Sequence, residues 1–215
     1  MSTDVHKETD RVRAVQDKHA AGYDRQMGFF ERLLFVGARE WACSQMTGET
    51  LEIAVGTGRN LPFYPRGARV TAVELSPQML DLARARKDQL GVVADLQLGD
   101  AQALEFKEAS FDTVLITFAL CTIPDDRRAA EEVFRVLRPG GSLVAVEHVR
   151  SPVAGVRVVQ RMIDPLSVRL GADHLTREPL DYLADVGFEV EEASRSKWGI
   201  VERVRARKPA AVASI

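Results

Sequence analysis

The sequence predicts an α/β protein built on a mostly parallel seven-stranded sheet, with helices on both faces. Three observations carry that prediction. Short apolar, β-rich runs alternate with helix-like segments from about residue 50 onward. The first run passes directly into Gly56-Thr57-Gly58, a glycine turn of the kind that joins a strand to a helix beside a ligand. The last two runs are joined by only a few residues, Ser194-Arg195-Ser196-Lys197-Trp198, as an antiparallel pair would be.

Residues 1–45 read as one or two amphipathic helices, with Phe29, Leu33 and Val36 at helical spacing and Arg25, Arg32 and Arg39 recurring by sevens on what should be a solvated face. Strands are expected at about 50–55, 69–74, 94–98, 111–119 and 142–148. Between the second and third, Ser76 is a fitting N-cap with Pro77 at the first helical turn. Met79, Leu80, Leu82 and Ala83 supply that helix's apolar stripe, and Gly91 stops it. A further helix at about 125–137 runs into Arg138-Pro139-Gly140-Gly141, where proline cannot continue it and paired glycine favours a tight turn. Residues 154–170 are apolar with Arg157, Arg161 and Arg169 interspersed, and would line an apolar pocket or touch a membrane surface peripherally. A helix at 176–185 and strands at 188–193 and 199–207 complete a domain of 46–207, and 208–215 read as a flexible tail.

Composition narrows the function. The 215 residues are 46% hydrophobic and 28% charged, with a formal net charge of -2, so no basic field favours a nucleic acid partner. Cys43 and Cys121 match no metal-ligand spacing and suggest no disulfide framework; no metal is expected, and a reducing cytoplasm is the simplest setting. No stretch approaches the roughly 18 apolar residues of a membrane span.

The chemistry is concentrated at the ends of the expected strands. A dinucleotide loop would carry a third glycine three residues after Gly58, for packing beneath a pyrophosphate; Leu61 stands there. Glu52, within the first strand, would repel a pyrophosphate but suits a sulfonium and an ammonium group. Glu74 closes the second strand, where a carboxylate accepts hydrogen bonds from ribose hydroxyls. Asp100 follows the third, where it can accept from an adenine amino group. A nicotinamide-dependent oxidoreductase shares the glycine turn and the ribose acid, and a cofactor-binding module without catalysis shares all of these features.

Together, Glu52 through Gly58, Val73-Glu74-Leu75-Ser76, Gly99-Asp100-Ala101, residues 111–125 and residues 132–148 resemble the successive motifs of the class I S-adenosylmethionine-dependent methyltransferases, in order and spacing over about 23–207. The resemblance implies a Rossmann-like fold with a substrate-covering insertion near 150–175, S-adenosylmethionine as methyl donor and S-adenosylhomocysteine as product. It implies Gly56 and Gly58 under the methionine moiety, with Asn60 beyond them and Glu52 toward its polar end. Glu74 would hold the ribose, Leu75 and Met79 would flank adenine, Asp100 and Ala101 would meet its edge, and Thr117 would offer a carbonyl to the amino group. Ala54 departs from the pattern, standing where many members have the first glycine.

In-line displacement at a sulfonium needs alignment and, for an acidic nucleophile, removal of a proton. His148 at the end of the fifth strand, His174 before the next helix and Tyr23 in the N-terminal lid are the catalytic candidates. Residues 119–125, 147–152 and 172–180 look most like the branch holding thiol S-methyltransferases and bacterial phospholipid or quinone methyltransferases, which implies a small or lipid-like acceptor reacting at O, S or N. Thr117-Phe118-Ala119-Leu120 stands where nucleobase-modifying members have an NPPY-like motif, which argues against amino methylation of DNA.

Overall fold

The computed structural model of the chain describes residues 3–210. Helix α1 (Thr3–Leu33) and the short α2 (Ala38–Ser44) precede the sheet. β1 (Glu49–Ile53), β2 (Arg69–Glu74), β3 (Asp95–Leu98), β4 (Phe111–Thr117) and β5 (Leu137–His148) follow, with α3 (Pro77–Leu90) and α4 (Asp126–Val136) as crossovers. Then come α5 (Ala154–Gly171), α6 (Leu180–Val186), β6 (Glu189–Ser196) and β7 (Val201–Arg207).

The seven strands lie in the order β3-β2-β1-β4-β5-β7-β6. β1 to β5 pair in parallel, whereas β7 runs antiparallel to both β5 and β6. The last strand is therefore interior and β6 is the edge, with all of its residues exposed. The order reverses between β1 and β4, so the carboxyl ends of the strands on either side diverge and open a crevice there. Leu51, Ile53, Val114, Ile116, Leu143 and Ala145 face α4 and α6 across the main core; Leu115, Val144 and Val146 pack on α2 from the other side. Burial on both faces is why these strands read as continuous apolar runs.

Local chemistry sets the element ends. Ser76 Oγ accepts the Met79 N–H and starts α3, which Gly91 ends in the left-handed region. Asp125 caps α4 through the Arg128 N–H. The expected turn at 138–141 is instead absorbed into β5: Phe111 pairs with Leu137 but Thr113 with Ser142, so the surplus residues form a bulge.

Several expectations shift. In α3, Met79, Leu80 and Ala83 are buried but Leu82 is exposed, since it lies roughly 100° around the helix from their centre. Phe29, Leu33 and Val36 point outward, and Arg39 is buried, not solvated. The expected helix at 176–185 starts at Leu180, because Pro179 and the residues before it form a loop. The flexible tail cannot begin at 208: Lys208 exchanges backbone hydrogen bonds with Gly140 and Gly141, and its Nζ donates to the carbonyls of Phe134 and Leu137. Residues 211–215 lie outside the described residues. Among the described residues, no helix is long and apolar enough to cross a membrane.

Candidate functional site

A cavity of about 840 Å³ occupies the crevice at the carboxyl ends of β1, β2, β4 and β5. Two helices roof it. α1 presents Val12, Gln16, His19, Tyr23, Met27 and Phe30, recurring every three or four residues along one face. α5 presents Val156, Val159, Ile163, Leu166 and Leu170 in the same manner. The cavity is thus polar near the glycine turn and apolar below α5.

Glu74 organises the polar end. Its Oε2 accepts the Gly56 N–H at 2.9 Å and its Oε1 accepts the Ser76 N–H at 2.9 Å, which leaves lone pairs on both oxygens for a ligand's hydroxyls. Burial raises its pKa against the opposing pull of those backbone donors. Gly56, with φ +58°, has nothing within 4 Å of where a Cβ would stand, so the turn exposes bare backbone to the cavity. Ala54, Leu75, Met79, Asp100, Ala101 and Thr117 line the same space. Asp100 Oδ1 accepts from the backbone and side chain of Gln102, which fixes the turn after β3.

Four sequence-predicted residues do not reach the cavity. Glu52 and Asn60 lie a layer beneath it: Asn60 Nδ2 donates to Glu52 Oε1 (3.0 Å) and Thr117 Oγ1 (2.9 Å), and the Tyr64 hydroxyl closes on Glu52 Oε2. Burial pushes the Glu52 carboxyl up to about 7 despite these donors. Gly58 is needed for packing, because a Cβ there would stand 2.5 Å from Leu61 Cδ1 and 3.2 Å from Ala83 Cα. The Leu61 side chain fills the space under the turn, as the missing third glycine implied. His174 sits outside the cavity lining, its backbone N–H donating to the Cys121 carbonyl at 2.9 Å. Burial and the Arg177 charge lower its pKa.

At the apolar end, His148 Nε2 meets Asp173 Oδ1 at 2.9 Å, and Cys121 lies beside both. Burial pulls the His148 pKa down, but the charge and hydrogen bond of Asp173, with Glu147 behind, carry it above its ordinary value. The loop after β4 is held by Glu147 Oε1, which accepts the N–H groups of Ala119 and Leu120. Arg177 donates to three carbonyls of the same loop, those of Leu120, Ile123 and Pro124. Tyr23 faces the cavity from α1, its phenol pushed up to about 12 by burial.

Sequence reasoning missed the residues that fasten α1. Asp17 accepts from Ser76 Oγ; Asp24 accepts from Thr57 Oγ1 (2.6 Å) and pairs with Arg59 and Arg86; Glu31 pairs with Arg39 and Arg59. Arg39 in turn donates to Asn60 Oδ1 (3.0 Å) and Thr117 Oγ1 (2.9 Å). Asp17, Asp24 and Glu31 recur by sevens, on a different face from Arg25 and Arg32, which are exposed. That acidic period was the available signal. Asp173 had none, since only the fold brings it to His148.

The chain is similar to several known methyltransferases. A family described as "Methyltransferase domain" matches residues 51–145. Phosphatidylethanolamine N-methyltransferase of Cereibacter sphaeroides is 38% identical over 51% of this chain and 56% of its own length. The rat thiol S-methyltransferase TMT1B is likewise matched over only 54% of its length. Demethylmenaquinone methyltransferase of Clavibacter sepedonicus is 31% identical over 98% of this chain and 95% of its own. A solved Thermotoga maritima protein described as a S-adenosylmethionine-dependent methyltransferase, possible histamine N-methyltransferase, shares the fold, with a TM-score of 0.70 at 23% identity over 91% of this chain and 99% of that one. With the relative matched end to end, the strand order and the glycine-turn crevice, the chain belongs to the class I S-adenosylmethionine-dependent methyltransferases.

Proposed function

We propose that this methyltransferase transfers the S-adenosylmethionine methyl group to an O, S or N nucleophile of a small, largely apolar or lipid-like acceptor. The observation that carries the reading is the division of one cavity into a polar end around Glu74 and an apolar end under α5. The donor lies along the polar end. Glu74 takes both ribose hydroxyls, Gly56 and Ala54 run beneath the methionine part, Leu75 and Met79 sandwich adenine, and Asp100 with Ala101 meets its edge. The Thr117 hydroxyl is already tied to Arg39 and Asn60, which leaves its carbonyl for the α-ammonium group.

The acceptor enters between α1 and α5. Val159, Ile163, Leu166 and Leu170 both line the cavity and stay about half exposed, so the mouth itself is apolar. With Met162 and Val158 exposed beside Arg161, α5 also suits contact with a membrane surface from which a lipid-like acceptor would be drawn. α1 acts as a lid, with Tyr23 over the reacting groups. His148, oriented by Asp173, is the residue against which the nucleophile is placed. Two buried free cysteines suit the reducing cytoplasm as its setting. Relatives named as thiol, phosphatidylethanolamine and demethylmenaquinone methyltransferases support this breadth of acceptor.

The test is transfer of a labelled methyl group from S-adenosylmethionine across a panel of alkyl and aryl thiols, hydroquinones, amines and phosphatidylethanolamine vesicles. Product is expected with apolar members and not with their polar counterparts of equal size. Turnover confined to polar or macromolecular acceptors overturns the reading.

A further inference from the structure

At the apolar end of the cavity three side chains from distant parts of the sequence converge. Cys121 comes from the loop after β4, His148 from the end of β5 and Asp173 from the turn after α5. A sulfur, a ring nitrogen and a carboxylate oxygen, one from each, all lie within 4.8 Å of one another. All three residues line the cavity. We propose that Cys121, His148 and Asp173 bind one divalent ion of the zinc class, whose remaining position faces the cavity and takes the acceptor's nucleophilic atom. This rests on the methyltransferase reading above and names the device that activates the acceptor.

The donor set is the first argument. One thiolate, one imidazole and one carboxylate match a borderline-soft ion such as Zn²⁺ and no hard ion such as Mg²⁺ or Ca²⁺. Three protein ligands with one open position is the arrangement of catalytic zinc, whereas structural zinc is closed by four.

The protonation pattern is the second. Asp173 Oδ1 meets His148 Nε2 at 2.9 Å and the Cys121 sulfur lies within 4.8 Å of both side chains, so one carboxylate already gathers the two groups on which a cation would replace protons. His148 Nδ1 is sealed from solvent and has no hydrogen-bond partner. Coordination replaces the Nε2 proton, so the ring's remaining proton sits on Nδ1 and the Nε2 lone pair goes to the ion. A divalent ion would take the Cys121 sulfur as thiolate, since a coordinating thiol is deprotonated outright.

Rigidity is the third. The His174 N–H ties the Asp173 turn to the Cys121 carbonyl, Asp164 Oδ1 accepts the Leu175 N–H at 2.6 Å, and Arg177 clamps the Cys121 loop. Ligands held in this way need little reordering to close on an ion.

The step balances without an oxidant. A thiol or hydroxyl acceptor gives its proton to solvent as its heteroatom binds the ion. The heteroatom's lone pair then attacks the methyl carbon, and the carbon–sulfonium bond breaks with its electron pair on sulfur. Methylated acceptor and S-adenosylhomocysteine leave, and the ion's oxidation state is unchanged. A neutral thioether or ether binds the ion more weakly than the anion did, which favours release.

The test uses the full chain, stripped of metal and titrated separately with Zn²⁺ and Co²⁺. One equivalent should bind, and the cobalt form should show tetrahedral visible bands with a thiolate-to-cobalt charge-transfer band. Cys121→Ser should abolish that band and weaken zinc binding about 100-fold or more, with Asp173→Asn weakening it less. Binding of S-adenosylhomocysteine, measured by calorimetry on each variant, reports folding and the donor site independently. If it fails everywhere, the methyltransferase reading falls. If it persists while wild-type protein binds no stoichiometric zinc, or binds it as tightly as Cys121→Ser does, the metal site alone is overturned. Should Cys121→Ser fail to fold, the wild-type cobalt spectrum decides by itself: no charge-transfer band means no site.

Discussion

The Glu74 carboxylate and the Gly56 N–H are joined at 2.9 Å, so the acid at the end of β2 holds the glycine turn at the end of β1. A residue that reads in sequence as a ligand contact is also a brace for the loop beneath that ligand. Glu74→Ala should weaken S-adenosylmethionine binding by roughly 1–3 kcal/mol through the lost charged hydrogen bonds. Glu74→Gln should do nearly as badly, because its amide turns one N–H toward a backbone donor. Calorimetry on both variants is the check; full affinity in Glu74→Gln would refute the bracing role.

Gly56 and Gly58 should separate under substitution. Gly58→Ala combines a positive φ of +79° with a Cβ 2.5 Å from Leu61, and should cost about 2–4 kcal/mol of stability. Gly56→Ala meets no protein atom, so it should cost only about 1–2 kcal/mol in stability while reducing cofactor affinity. Urea unfolding alongside cofactor titration distinguishes them, and equal stability losses would contradict the packing assignment.

Ala54 adopts φ +53°, in the left-handed region that favours glycine. Relieving that strain offsets the added chain entropy of glycine. Ala54→Gly should therefore gain about 0.5–1 kcal/mol and raise the melting temperature by a few degrees. A lower melting temperature would show that the Ala54 methyl is needed for packing.

Stability should fall with rising pH through Glu52. Its folded pKa of about 7 lies above its unfolded value of 4.5, so the folded state binds the proton more tightly. That contribution is complete below about 4.5 and is lost as pH climbs through about 7. Glu52→Gln imitates the protonated acid toward Asn60 and Tyr64. Relative to wild type it should gain on the order of 3 kcal/mol between pH 4.5 and pH 8. Parallel stability profiles for the two proteins would sink the idea.

Glu31 works in the opposite sense. Burial raises its carboxyl, but Arg59 and Arg39 outweigh that and hold its pKa below the ordinary value, so its contribution is present at neutral pH and is lost on acidification. Glu31→Gln leaves Arg39, which is 8% exposed, without its ion pair and should cost about 2–4 kcal/mol at pH 7. α1 should become cleavable by protease at the same time. Equal stability of variant and wild type at pH 7 would count against the pairing.

The sheet was legible because both of its faces are buried, so that strand centres such as 114–116 and 143–146 are unbroken apolar runs. The polar half of the cavity was legible for a related reason: Gly56, Glu74 and Asp100 each stand at or just past the carboxyl end of a strand, and the parallel pairing of β1 to β3 sends those ends to one edge. Depth was not legible. Glu52 and Asn60 carry the right chemistry one layer too low, since whether a side chain faces the ligand or α2 depends on how the sheet is covered. The apolar half was least visible, because Cys121, His148 and Asp173 are 27 and 25 positions apart and only the packing of α5 closes them together.

The seven-residue interval of Asp17, Asp24 and Glu31 makes α1 a graduated rule laid over the strand ends. Seven residues are just under two turns, about 10.5 Å, so each acid arrives at the next turn of the sheet edge on nearly the same bearing. Length and phase are thereby locked together: one residue inserted between Asp17 and Glu31 would swing every acid on one side of it by about 100°. Such a chain could keep its helix and its sheet and still have no way to seat one on the other. An insertion of seven would restore the bearing but overshoot the edge. The α1 segment between these acids thus has a spacing that cannot drift by single residues, unlike the surface loops elsewhere in the molecule.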